Sequence, residues 1–170
     1  MENDDKDVTV RKILLPLKFS QTGSNAFKMA LNLAGCCAAR LDILSVVKPV
    51  SHSPLTEKKY LEKIQTEFHR FKAINSPRLG SFQNYQFAWQ AGDSATEILK
   101  YAERNSVDII ILGCHYRNNR PCYNRLGEVA QLIFQWASCA VMLVPGGTLK
   151  EKPCYRTTDA LCNKKEGNHP

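Results

Sequence analysis

Apolar residues along the chain follow two main patterns. In the first they run together almost unbroken: KILLPL over Lys12–Leu17, LDILSVV over Leu41–Val47, IIIL over Ile109–Leu112 and AVMLV over Ala140–Val144. Runs of that length without polar alternation suit strands buried on both faces, as in parallel sheets. In the second pattern they recur three and four positions apart. Ala26, Phe27, Ala30, Leu31, Ala34 and Cys37 mark one face of a helix from about Ser24 to Ala38. Leu61, Ile64, Phe68 and Phe71 do the same within Leu55–Ile74, and further helices are predicted over Ser94–Arg104 and Gly127–Trp136. Asn84–Gln90 (NYQFAWQ) alternates large apolar with polar residues, the mark of a half-exposed strand at a sheet edge.

The breakers between these segments set their ends. Pro16 and Pro49 close the first two strands, and Phe19–Ser24 is a turn rich in N-cap hydroxyls. Pro77 and Gly80 make Asn75–Gln83 a loop, while Gly113 and Pro145 end the last two apolar runs. Ser94 and Glu97 form S-x-x-E, a capping box at the head of the third helix. Strands and helices therefore alternate from β through α to a fifth strand. That order predicts a three-layer α/β sandwich, a five-stranded parallel sheet with helices on both faces and right-handed crossovers. The loop after the fourth strand lies at the carboxyl edge, where open α/β sheets take their ligands.

The 170 residues suffice for one such domain, expected over 10–148 between an N-terminal arm (1–9) and a polar C-terminal tail (149–170). No apolar run approaches the roughly 20 residues that cross a bilayer. The polar start has no apolar signal core, so the expected location is cytoplasmic. Seven cysteines is an odd number with no C-x-x-C, which argues against disulfides and zinc. Cys36, Cys37 and Cys139 are expected as buried small hydrophobes, and Trp89 and Trp136 as packing residues. The net charge of +7 favours acidic partners, but the basic residues do not form a stripe interleaved with aromatics, so nucleic acid is not expected. Cys114 and His115 are adjacent with no acid partner in view, so no catalytic pair is assigned there.

KILLPLKFS, the Ala-rich helix, LDILSVV, AGDSATEILKYAERNSVDIIILGCH and LGEVAQLIFQWASCAVMLVP together resemble universal stress protein domains over roughly residues 10–146. The resemblance implies strand order 3-2-1-4-5, the adenine-nucleotide α-hydrolase-like fold. It also implies homodimers, often paired through the last strand, here Val141, Met142, Leu143 and Val144. An ATP-binding branch of that family carries an Asp after the first strand, then G-x-x-G, about nine residues, and G-[S/T] after the fourth. The positions equivalent to its nucleotide contacts are Pro16, Lys18, Val46, Gly113, Tyr116, Gly127 and Glu128.

The chain departs from that signature. Lys18 stands at the Asp position, Tyr116 at the second glycine, and Glu128 at the hydroxyl after Gly127, with ten residues between Tyr116 and Gly127. A helix N-terminus attracts anions because its N–H groups and macrodipole both favour negative charge. A carboxylate fixed there caps the helix and repels a triphosphate, by an amount on the order of a few kcal/mol in a partly screened site. Lys18 and Glu128 are expected to face each other across the pocket. The expectation is a non-catalytic regulatory scaffold without a cofactor. Two alternatives are weighed: an ATP or AMP sensor holding its anion through Arg117, Arg120 and Arg125, and, more weakly, a nucleotide-hydrolysing enzyme.

Overall fold

The unbroken apolar runs become the inner layer. A computed structural model describes residues 9–17, 25–48, 54–80, 82–115 and 126–146. In chain order they form β1 (Lys12–Pro16), α1 (Asn25–Cys37), β2 (Arg40–Val47), α2 (Pro54–Leu79), β3 (Tyr85–Ala91), α3 (Ser94–Arg104), β4 (Ile109–His115), α4 (Glu128–Trp136) and β5 (Ala140–Gly146). The five strands are parallel in the order β3-β2-β1-β4-β5. Successive side chains on a strand point to opposite faces, so β1 sends Ile13 and Leu15 into the layer of α1 and α2, and Leu14 into that of α3 and α4. Phe27 and Phe71 fill the first core; Ile98, Ile110 and Ile133 belong to the second. No helix among the described residues is long and apolar enough to cross a membrane.

Several local expectations need correction. The second helix does not stop at Ile74 but runs through Pro77 to Leu79. Asn75, fully buried, donates its Nδ2 to the Phe71 carbonyl at 2.9 Å, and Leu79 continues the inward stripe. Gly80, with φ +47, then ends the helix, its N–H bonding the Ser76 carbonyl at 3.0 Å. That is the αL termination for which glycine is suited. Pro77 ends nothing because the burial of Phe71, Asn75 and Leu79 outweighs one missing hydrogen bond.

The third helix is capped one residue earlier than expected. Asp93 is the N-cap, and its Oδ1 accepts from the Thr96 N–H at 3.0 Å and the Thr96 hydroxyl at 2.8 Å. Those bonds, the backbone one first, hold its carboxyl below the usual range. Ser94 is already helical, and Glu97 pairs with Lys100 at 2.9 Å. Gly92, at φ +155, leaves the room that Glu97 needs, since a Cβ there would lie 2.7 Å from its Cγ.

Cys36 and Cys37 are exposed and Cys139 is half-buried, contrary to expectation. The cause is the end of α1. The Ala39 N–H bonds the Ala34 carbonyl at 2.9 Å and Ala38 reaches Gly35 at 3.4 Å, with Ala38 at φ +51. This Schellman turn folds Ala39 into the core and leaves both thiols outside. A left-handed residue bearing a Cβ costs roughly 1–2 kcal/mol. Ala38→Gly is therefore expected to raise stability by about 1 kcal/mol, measured as a melting-temperature rise of about 2–4 °C.

Trp89 and Trp136 are 44% and 64% exposed, so neither is a core packing residue. Phe87 takes the aromatic place instead, 4.1 Å from Phe68 between ring centroids. β4 and β5 also outrun the expected stops, pairing as far as His115 with Gly146.

Candidate functional site

The carboxyl edge of the sheet is shaped by where strands separate. β1 follows β2 through Pro16, and β2 follows β3 through Val47. The pairing of β1 with β4 covers Ile13 with Ile109 and Leu14 with Ile110. No pairing between the two strands is described beyond Leu14 and Ile110, and the crossovers leave them in opposite directions. That crevice is the topological switch point of an open α/β sheet.

Pro16, half-buried at the end of β1, and Gly113 on β4 flank this crevice. Val46, near the end of β2, packs against the core of the α3/α4 layer. A Cβ at Gly113 would meet the Ala26 Cβ at 3.4 Å, the near limit of ordinary contact, so α1 lies close over the end of β4. Asn25, at the head of α1, donates to the Pro145 carbonyl at 3.0 Å and ties the helix to the end of β5.

Gly127 is the N-cap of α4 with extended backbone (φ −62, ψ 152) and no side-chain cap, and nothing among the described residues lies within 4 Å of where a Cβ would stand. Glu128 occupies the first turn and is exposed. The expected cap by its carboxylate is not among the described hydrogen bonds. What remains is its negative charge at the positive end of the helix. Lys18, Tyr116, Arg117, Arg120 and Arg125 lie outside the described residues, as does any pairing of Lys18 with Glu128. The structure thus brings Pro16 and Gly113 to one edge, and sets Gly127 and Glu128 at the start of the helix that follows β4.

Val141, Met142, Leu143 and Val144 lie on β5, the outermost strand. The Ala140 N–H bonds the Asp108 carbonyl at 3.2 Å. Parallel ladders use alternate residues, so Met142 and Val144 also turn their backbone to β4, whereas Val141, Leu143 and Pro145 turn theirs outward. Pro145 has no N–H and its carbonyl is held by Asn25, which leaves Val141 and Leu143 to offer the edge. α4 lies in the neighbouring layer with Ile133 fully buried and Phe134 63% exposed.

One polar cluster was not among the expectations. Asp42, in the middle of β2, is fully buried; it accepts from the Tyr101 hydroxyl at 3.1 Å and from Arg40 Nε at 2.9 Å. Gln86 on β3 donates to the Tyr101 oxygen at 2.9 Å. Burial, followed by the charge of Asp42, pushes the Tyr101 phenol above its ordinary value. Burial first, and then Asp108, likewise raises the Cys139 thiol and keeps it protonated. The available signal was a carboxylate inside an apolar run, which must be paired if the run is a central strand.

An open five-stranded parallel sheet with its switch point between β1 and β4 places the chain among the doubly wound α/β domains. The chain belongs to the universal stress protein family, whose model matches residues 9–145. Among solved structures, a universal stress protein UspA from Lactobacillus plantarum is 24% identical with a TM-score of 0.57, covering 80% of this chain and 98% of its own. A universal stress protein in complex with cAMP is 13% identical with a TM-score of 0.55, over 82% of this chain and 99% of its own. One from Archaeoglobus fulgidus in complex with dAMP is 12% identical with a TM-score of 0.51, over 78% and 96%. At these identities the likeness is one of fold. No curated protein sequence matches the chain significantly.

Proposed function

We propose that this universal stress protein is a non-catalytic regulatory scaffold that works as a homodimer and whose nucleotide pocket no longer grips phosphate. The observation that carries this reading is Glu128, exposed in the first turn of α4 where a triphosphate would meet the helix N-terminus. Repulsion between fixed and incoming negative charge there is on the order of a few kcal/mol, or about two decades in affinity. Gly113 is the remaining glycine of the signature at β4, and Tyr116 stands where its second glycine would be. The carboxylate of Glu128 and the side chain of Tyr116 in place of a glycine disfavour a triphosphate.

Solved relatives of the same fold hold cAMP and dAMP, so the competing reading is an adenylate sensor. Calorimetric titration with ATP–Mg²⁺ and with AMP decides between the two. The expected result is no binding tighter than about millimolar; a micromolar dissociation constant overturns the scaffold reading.

The dimer is supported by β5. Its outer edge offers the N–H and C=O groups of Val141 and Leu143, and the adjoining α4 leaves Phe134 uncovered. A two-fold antiparallel pairing that uses both residues is centred on Met142. Leu143→Pro removes an outward N–H without breaking the ladder to β4, and is expected to yield a folded monomer by light scattering. A folded variant that stays dimeric excludes this edge.

A further inference from the structure

The opposite edge of the sheet differs from β5 in lacking a proline and, among the described hydrogen bonds, a side-chain bond to its outward carbonyls. The Leu41 N–H bonds the Asn84 carbonyl and the Gly92 N–H bonds the Val47 carbonyl, both at 2.9 Å. Gln86, Ala88 and Gln90 therefore turn their backbone to β2, and Trp89 and Ala91 turn theirs away from the sheet. β3 is the end of the sheet order, so no strand of the described residues lies beyond it. Natural proteins blunt such edges with charges, prolines or bulges. YQFAWQA carries no charged residue and no proline, and it pairs with β2 in unbroken register from Tyr85 to Ala91. By contrast, β5 has Pro145 on its outward side with Asn25 bound to that carbonyl.

The two faces beside this edge have different chemistry. On the α2 side, Tyr85 and Phe87 join the aromatic cluster with Phe68 and Phe71. Trp89 comes next on that face and is 44% exposed. On the α3 side, Gln90 lines a shallow depression of about 70 Å³ with Lys100, Tyr101 and Arg104. Lys100 is paired with Glu97, and Arg40 with Asp42. Arg104 has no ion-pair or hydrogen-bond partner among the described residues, so the depression is left with an excess of positive charge.

We propose that the outer edge of β3 takes up an extended acidic segment of a partner protein by strand addition. The main chain of the segment bonds Trp89 and Ala91. Its side chains alternate, an apolar one beside Trp89 and a carboxylate one position on, towards Gln90 and Arg104. Affinity of this kind comes from main-chain bonds, and specificity comes from the alternate side chains. The chain's own residues 149–170 make a poor occupant, because that stretch carries more Lys and Arg than Asp and Glu. The inference is independent of the nucleotide reading and of the β5 dimer.

The test uses the full chain with Trp136→Phe, so that Trp89 is the remaining indole, and an acetylated peptide of about ten alternating Leu and Glu residues. The expected dissociation constant is roughly tens of micromolar, with a blue-shifted Trp89 emission and slowed exchange of the Trp89 and Ala91 amides. A peptide with Lys in place of Glu is expected to bind at least about tenfold more weakly, and Arg104→Glu to reverse that preference. Ala91→Pro, whose lost N–H faces outward, abolishes binding while the melting curve stays cooperative. Binding unaffected by charge reversal, or none at millimolar peptide, overturns the proposal. So does a self-associated species that Leu143→Pro leaves intact and Ala91→Pro removes, since the occupant is then a second copy.

Discussion

Phe71→Ala is expected to cost about 3–5 kcal/mol, the usual range for deleting a buried aromatic ring. Phe71 is fully buried on α2. It meets Phe27 edge-on with centroids 5.1 Å apart and Phe87 at 6.1 Å. It therefore joins α1 and β3 to a helix that otherwise has few buried side chains, Ile64, Asn75 and Leu79 among those described. Loss of the ring leaves a cavity between three elements that cannot all collapse towards it. Urea unfolding with an unchanged slope and a lowered midpoint is the measurement. Ile74→Ala, at a position 45% exposed on the same helix, is the control, and is expected within about 0.5 kcal/mol of the parent. If the two variants unfold at the same midpoint, α2 is not packed as described.

That contrast also shows how far the chain could be read without coordinates. The central strands were legible because Ile109–Leu112 and Leu41–Val47 are too apolar for any place but a doubly covered sheet, and Tyr85–Ala91 because its alternation suits an edge. The long second helix was not. Pro77 looked like a stop, although Phe71, Asn75 and Leu79 already stood four apart, with Gly80 placed to end the helix. The cap of α3 went wrong by one residue because Asp93 and Ser94 are both good caps. Asp93 held the position once Gly92 had set the turn. Cys37 continued the α1 stripe by spacing, but the stripe ends where Ala38 turns the chain, and a turn built on a non-glycine residue carries little signal.

The candidate site was legible as a set of substitutions rather than as a shape. Glu128 following Gly127 is a fact of sequence, and the structure adds that the carboxylate is exposed in the first turn of α4. Gly113 shows the opposite case. A glycine kept for a phosphate loop and a glycine kept for helix packing look identical in one sequence, and a Cβ here would meet Ala26 only at the near limit of ordinary contact, 3.4 Å. At Asp42 the need for a partner was legible in a carboxylate set inside an apolar run, but its identity was not, since Tyr101 lies 59 positions away. The exposure of Trp89 was also hidden, because alternation tells which face a residue occupies but not whether anything covers it.

Tyr101→Phe should destabilise the chain by about 1.5–3 kcal/mol near neutral pH, the range for a hydrogen bond to a charged group. The hydroxyl donates to a carboxylate with no exposure to solvent. Without it Asp42 keeps Arg40 Nε as its described partner, and the buried charge is left under-compensated. A second signature separates this role from mere ring packing. The folded phenol ionises above its ordinary value of 10.0, so the unfolded chain releases this proton first as pH rises. Above about pH 10 the folded state binds more protons than the unfolded state, and stability must fall with further rise in pH. The parent is therefore expected to lose stability through that window with a steeper slope than Tyr101→Phe, which has no phenol to ionise at this position. Urea midpoints at pH 7, 9 and 10.5 test both parts. Equal slopes for the two proteins would show that the phenol does not hold its proton against Asp42, and a parent no more stable than the variant at pH 7 would show that the hydrogen bond contributes nothing.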